Sequence, residues 1–73
     1  MRYWRASQPI PGKGDAFVYY ECTDENTIVR FVTYIPATGE VERVPDPVVK
    51  KLYRPEFLTE STKEDFERHW DVN

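Results

Sequence analysis

The chain of 73 residues holds one cysteine, one histidine and three glycines, and each scarcity excludes a class of chemistry. A single Cys22 forbids an intramolecular disulfide. With His69 equally alone, no paired spacing of cysteine or histidine exists to hold a metal, and no cofactor is expected. The glycines Gly12, Gly14 and Gly39 do not make a phosphate loop. That loop needs two glycines five residues apart, followed by Lys and Ser or Thr opening a helix. Pro11-Gly12-Lys13-Gly14-Asp15 fails on spacing and runs into a strand, so it reads as a turn.

Long apolar runs are also missing. Met1-Arg2-Tyr3-Trp4-Arg5-Ala6-Ser7 lacks the apolar stretch of a signal peptide, and nothing approaches the roughly 20 residues of a membrane span. The expectation is a soluble, cytoplasmic protein with no membrane partner. A cationic surplus is absent too: 10 Lys and Arg stand against 13 Asp and Glu, a net charge of −3. Phosphate-backbone binding rests on clustered cations, so this balance argues against nucleic acid as a partner. The charges are unevenly spread. Arg2, Arg5 and Lys13 lie in an N-terminal stretch without acids, whereas Glu56, Glu60, Glu64, Asp65, Glu67 and Asp71 crowd the C-terminal one. Solvated faces, or complementarity of the two ends across the fold, are the plain explanations.

What is present is aromatic and β-branched. A chain of this length supports one domain, residues 1–73, and buries only about 60% of the surface it exposes when unfolded. Aromatic residues make up 15% of it, and each can bury roughly 150–250 Å². The core is expected to draw on Trp4, Phe17, Tyr19, Tyr20, Phe31, Phe57, Phe66 and Trp70, in a monomer or a homodimer.

Strands are expected over residues 3–7, 16–22, 27–35 and 40–44. The polar turn Thr23-Asp24-Glu25-Asn26 separates the second from the third. Pro36-Ala37-Thr38-Gly39 reads as a three-residue hairpin loop with Gly39 in a left-handed bulge. Pairing Ile35 with Val41 and Tyr34 with Glu42 would gather Arg30, Val32, Tyr34, Glu42 and Val44 on one open face. Asp46-Pro47 then looks like a helix start, and Val48, Val49, Leu52 and Tyr53 form an apolar stripe ended by Pro55. Ser61-Thr62-Lys63-Glu64 matches a capping box for a last helix over residues 62–70, docked through Phe66 and Trp70. The expected class is α+β: a small antiparallel sheet of three to four strands followed by two short C-terminal helices, in ββββαα order.

Candidate chemistry is sparse. Nucleophilic catalysis needs a nucleophile beside a base, and Cys22 with His69 is the only such pair. A free cysteine is more often a small core residue. Glu64, Asp65 and Glu67 face away from Phe66 and Trp70, and acid–base work would require a cleft that shifts a pKa. A surface of Tyr19 or Tyr20, Tyr34 and Arg30 could stack single-stranded bases, against the acidic balance. Protein binding is left as the best reading. Tyr, Trp and Arg are enriched at interfaces, and Arg2-Tyr3-Trp4-Arg5 is rich in them. The candidate binding residues are Arg30, Tyr34 and Glu42 on the open sheet face and Glu64 and Glu67 on the last helix, whose acidic side suits a basic partner. No catalytic or metal residue is nominated.

Tyr3-Trp4-Arg5, Val29-Arg30-Phe31-Val32, Gly39, Pro55-Glu56-Phe57 and the run from Ser61 through Trp70 together resemble a family of small bacterial α+β domains of unknown function. Those domains end in a Ser/Thr-x-x-Glu-x-Phe-Glu-x-x-Trp helix. The resemblance implies a compact α+β fold and carries no activity or functional residue with it.

Overall fold

The structure is a computed structural model that describes residues 1–52 and 55–71. The aromatic and β-branched segments form four long strands: β1 (Arg2–Ile10), β2 (Gly14–Cys22), β3 (Ile28–Ile35) and β4 (Glu40–Val44). They run as consecutive antiparallel hairpins. A fifth strand, β5 (Thr59–Glu60), returns to pair with β1, giving the order β4-β3-β2-β1-β5. One helix, α1 (Lys63–Trp70), follows. Among the described residues five strands replace the expected three to four, and a single α-helix replaces the expected pair.

Side-chain alternation divides the sheet into two faces, each with its own core. On one face α1 lies across the sheet, and Phe66 packs with Tyr19 and Val32. Tyr3, Phe17, Val41 and Trp70 surround this cluster. On the other face Cys22, Ile28 and Leu52 are buried beneath Trp4, Tyr20, Phe31 and Leu58. Burial on both faces explains why β2 and β3 read as nearly continuous apolar runs.

The turns follow from local chemistry. Asn26 takes a positive φ of 64°, which Asn tolerates better than most residues, and its amide donates to the Thr23 carbonyl. Its side-chain oxygen also accepts a hydrogen bond from the Trp4 indole at 3.2 Å. At the β3–β4 hairpin both Thr38 and Gly39 amides donate to the Ile35 carbonyl, and Gly39 sits at φ 75°. That is the expected three-residue loop with its glycine bulge.

The pairing beyond that loop differs from expectation by one residue. Gly39 and Glu40 together oppose Ile35, so Ile35 pairs with Glu40, Tyr34 with Val41 and Thr33 with Glu42. A slip of one residue moves a side chain to the opposite face. Glu42 therefore lies across the sheet from Arg30 and Tyr34, and Val41 joins the helix-side core instead. A second irregularity lies between Glu21 and Cys22: Glu21 pairs with Arg30 but Cys22 with Ile28, leaving Val29 as the extra residue and exposed.

The helix expected to begin at Asp46-Pro47 does not form over the described part of that segment, and Tyr53 lies outside the described residues. The chain there competes for the sheet and wins hydrogen bonds that a helix would have kept internal. The Lys50 carbonyl accepts from the Ile28 amide at 2.6 Å, and Lys51 bridges Thr27. A stretch this short gains little from helix propensity, and two adjacent valines lower it further. Asp46 serves the Lys50 ammonium at 2.8 Å rather than a helix amide, and that contact holds its carboxyl below the usual range. Of the described residues of the apolar stripe only Leu52 is buried.

Pro55–Phe57 forms a 3-10 turn, and Phe57, expected in the core, is 72% exposed. The final helix begins one residue later than expected. The Ser61 amide is committed to the Tyr3 carbonyl as an extension of the β1–β5 pairing, so Thr62 becomes the cap. Its hydroxyl oxygen accepts from the Asp65 amide at 3.1 Å.

Candidate functional site

Three surfaces arise from this framework. The first is polar and lies beneath α1. Tyr3, Glu21 and Arg30 stand side by side on β1, β2 and β3, because the register pairs Tyr3 with Glu21 and Glu21 with Arg30. The Tyr3 hydroxyl donates to Glu21 Oε2 at 2.8 Å, and Arg30 Nε donates to Glu21 Oε1 at 2.7 Å. The Arg30 guanidinium also lies over two helix rings, 4.8 Å from the centre of Phe66 and 4.6 Å from that of Trp70.

Burial alone would raise the Glu21 pKa, but the hydrogen bonds and charge of Arg30, with Tyr3, hold it below its ordinary value. The Tyr3 phenol is pushed up to about 12 by burial and by the Glu21 carboxylate it serves. Every hydrogen-bonding group in this cluster has a partner, and the cation is stacked between sheet and helix. The arrangement fixes α1 on the sheet. Arg30 is thereby largely engaged within the fold, with only part of its side chain left to solvent.

Tyr34 meets a similar end. Its ring lies 5.5 Å from that of His69, which itself stacks on Tyr19 at 4.1 Å. Burial raises the Tyr19 phenol pKa, and Asp65 adds to the shift. The imidazole Nδ1 faces the Asp65 carbonyl at 2.8 Å, so that nitrogen carries the proton and donates. Ser61 Oγ donates to Asp65 Oδ2 at 3.0 Å. In this chain the carboxylate stands between serine and imidazole, so the hydroxyl faces no base and is not activated. Cys22 is on the opposite face of the sheet from His69, fully buried, with its thiol pushed up to about 11 by that burial. The cysteine and histidine cannot act together.

The outer side of α1 forms the second surface. Glu64 is exposed there, while Glu67 is half-buried and its charge reaches Tyr3 and Arg30. None of the ion pairs described joins the basic N-terminal stretch to the acidic C-terminal one. Lys13 instead bridges Glu40 at 3.1 Å, and the Met1 amine meets Asp24 at 3.2 Å. The complementarity expected of the two ends is not how these charges are used.

The third surface is the one the sequence concealed. On the face opposite α1, Tyr20, Ile28, Phe31, Val49, Lys51, Leu52 and Leu58 line an open groove of about 340 Å³. Val48 is 98% exposed and Val49 71%, on the irregular segment that forms the groove's wall. Read as a helical stripe, these valines belonged to the core. The Asp46–Lys50 contact and the Lys50–Ile28 hydrogen bond instead hold the segment in a bent, irregular path that leaves them exposed. Beside the free edge of the sheet, Thr33, Ile35, Glu40, Val41 and Glu42 line a second hollow of about 410 Å³.

No three carboxylate, cysteine or histidine side chains gather as a metal site among the described residues, and no described helix is long and apolar enough to cross a membrane. Comparison of the chain with known protein families, curated proteins and solved structures found no match.

Proposed function

We propose that the chain is a non-enzymatic protein-interaction or regulatory module, an adaptor, inhibitor or immunity-type protein that works by occlusion or bridging. The observation that carries this reading is the pair Val48 and Val49, held in water beside an apolar groove. Scattered exposed apolar residues are ordinary. Two adjacent ones flanking a concave apolar surface, on a segment pinned by specific hydrogen bonds, fit a contact site. The partner is another protein, met in the cytoplasm. The candidate contact residues Glu42 and Glu64 lie on exposed parts of the molecule and favour a basic surface, while the partly buried Arg30 and Tyr34 pack against α1.

The reading is tested by capture from a lysate of the source organism on immobilised protein, compared with Val48→Asp and Val49→Asp. Both side chains are exposed, so the variants keep the fold, which circular dichroism verifies. A partner retained by the parent and lost by both variants supports the proposal. Equal capture by all three, or none, opposes it. The alternative, a single-stranded nucleic-acid platform of sheet aromatics, is tested by oligonucleotide titration at low salt. Tyr19 and Tyr34 lie against His69 and Tyr20 against Phe31, which leaves few open rings for bases.

A further inference from the structure

We propose that the outer edge of β4 receives an extended segment of the partner protein by strand addition, with a lysine or arginine of that segment seated against Glu42. This deepens the protein-binding reading and rests on it. β4 ends the sheet, and among the described residues no strand pairs with its outer side. Alternate backbone groups of Glu40–Val44 therefore point away from β3, and the Glu40 amide among them donates to Thr38 Oγ1. The other end of the sheet differs: β5 pairs with part of β1, and Pro9 interrupts donation along the remainder.

The chemistry of the edge selects its occupant. Glu40 and Glu42 share the face opposite α1, and with Thr33, Ile35 and Val41 they border the hollow beside the edge. Lys13 already neutralises Glu40, at 3.1 and 3.2 Å to its two oxygens. Among the described residues no cation pairs with Glu42, which is exposed. Arg43, on the other face, is occupied by the Trp70 carbonyl. On the face opposite α1, Glu42 is thus the carboxylate of this edge without a cation among the described residues, beside a hollow lined partly by apolar groups. A basic side chain with an aliphatic stem suits both.

A second copy of the chain does not. Two-fold antiparallel pairing of β4 with itself sets Glu42 against Glu40, Glu42 or Val44 of the other copy, and none of these is a cation. Like charges directly opposite on a sheet repel. The helix-side residues of β4 are Val41 and Arg43, the latter held by the Trp70 carbonyl, so the incoming strand should set an apolar side chain against Val41 between its basic ones.

The test uses a labelled peptide of alternating lysine and valine, the same peptide with glutamate for lysine, and the lysine peptide N-methylated at every second residue. Binding is followed by amide chemical shifts of the intact chain and by fluorescence anisotropy. The lysine peptide should bind, with shifts and slowed amide exchange centred on residues 40–44. N-methylation should weaken binding at least tenfold, because it removes backbone donors without changing charge. Glu42→Lys should reverse the preference toward the glutamate peptide. Equal binding of methylated and unmethylated peptides, shifts confined to the Val49 groove, or no binding at millimolar concentration would each overturn strand addition. A natural partner lost with Val48→Asp but retained by Glu42→Lys would also overturn it while leaving the protein-binding reading in place.

Discussion

Glu21 and Arg30 face each other at paired positions of β2 and β3, with Arg30 Nε 2.7 Å from Glu21 Oε1. The pair is largely shielded by α1, so it bears on stability more than a surface ion pair would. Removing the carboxylate with Glu21→Ala leaves Arg30 and the Tyr3 hydroxyl short of an acceptor. A loss of about 1.5–3 kcal/mol in urea unfolding at pH 7 is expected.

The same pair sets an acid dependence. The folded pKa of Glu21 lies below its ordinary 4.5, so its contribution is present above the unfolded value. It is lost as pH falls through the depressed folded value. Urea midpoints from pH 7 down to pH 3 should fall less steeply for Glu21→Gln than for the parent chain. Parallel curves would show that another carboxylate governs the acid limb.

Phe66 is fully buried where helix and sheet meet. Phe66→Ala should cost about 3–5 kcal/mol by denaturant unfolding. A loss below about 1 kcal/mol would mean that the helix is held elsewhere.

The helix cap distinguishes two neighbouring residues. Thr62→Ala removes the acceptor of the Asp65 amide and should cost about 1 kcal/mol. Ser61→Ala loses only a hydroxyl contact to the Asp65 side chain and should cost less. The reverse order, read from thermal or urea unfolding, would place the cap one residue earlier.

The segment that failed to become a helix is tested by contrast. Leu52→Ala should cost about 2–5 kcal/mol, because Leu52 is buried against Cys22 and Ile28. Val48→Ala should stay within about 0.5 kcal/mol of the parent. Cys22 belongs to the same cluster, and its buried thiol should resist alkylation at pH 8 until denaturant is added.

The elements whose signals are local were legible in the sequence. Strong β-formers marked the four long strands, Gly39 marked the bulge, and Phe66 and Trp70 marked the docked side of α1. The misreadings share a cause in partners distant along the chain. Asp46-Pro47 carries a valid helix-start signal, but Ile28, some twenty residues earlier, takes the Lys50 carbonyl. Likewise β5 has two residues and exists only because β1 offers an edge. Glu42 was placed on the wrong face because Gly39 and Glu40 share one partner, a detail of one residue that alternation magnifies. Arg30 resembled an interface residue by type, and nothing in a linear reading showed Glu21, Phe66 and Trp70 converging on it. The groove stayed hidden because its wall was assigned to a helix core.

The pairing of Trp4 with Glu60 has a consequence for synthesis. During translation the first two hairpins can close as soon as each leaves the ribosome, since their strands are neighbours in sequence. The outer edge of β1 cannot be protected until residues 59 and 60 emerge, and Phe66 arrives later still. Until then the emerged chain is a sheet open at both edges, with neither face fully covered. Ribosome-associated holdases should bind it most strongly in that interval, and stalled chains that have emerged only as far as residue 58 should be the most easily aggregated.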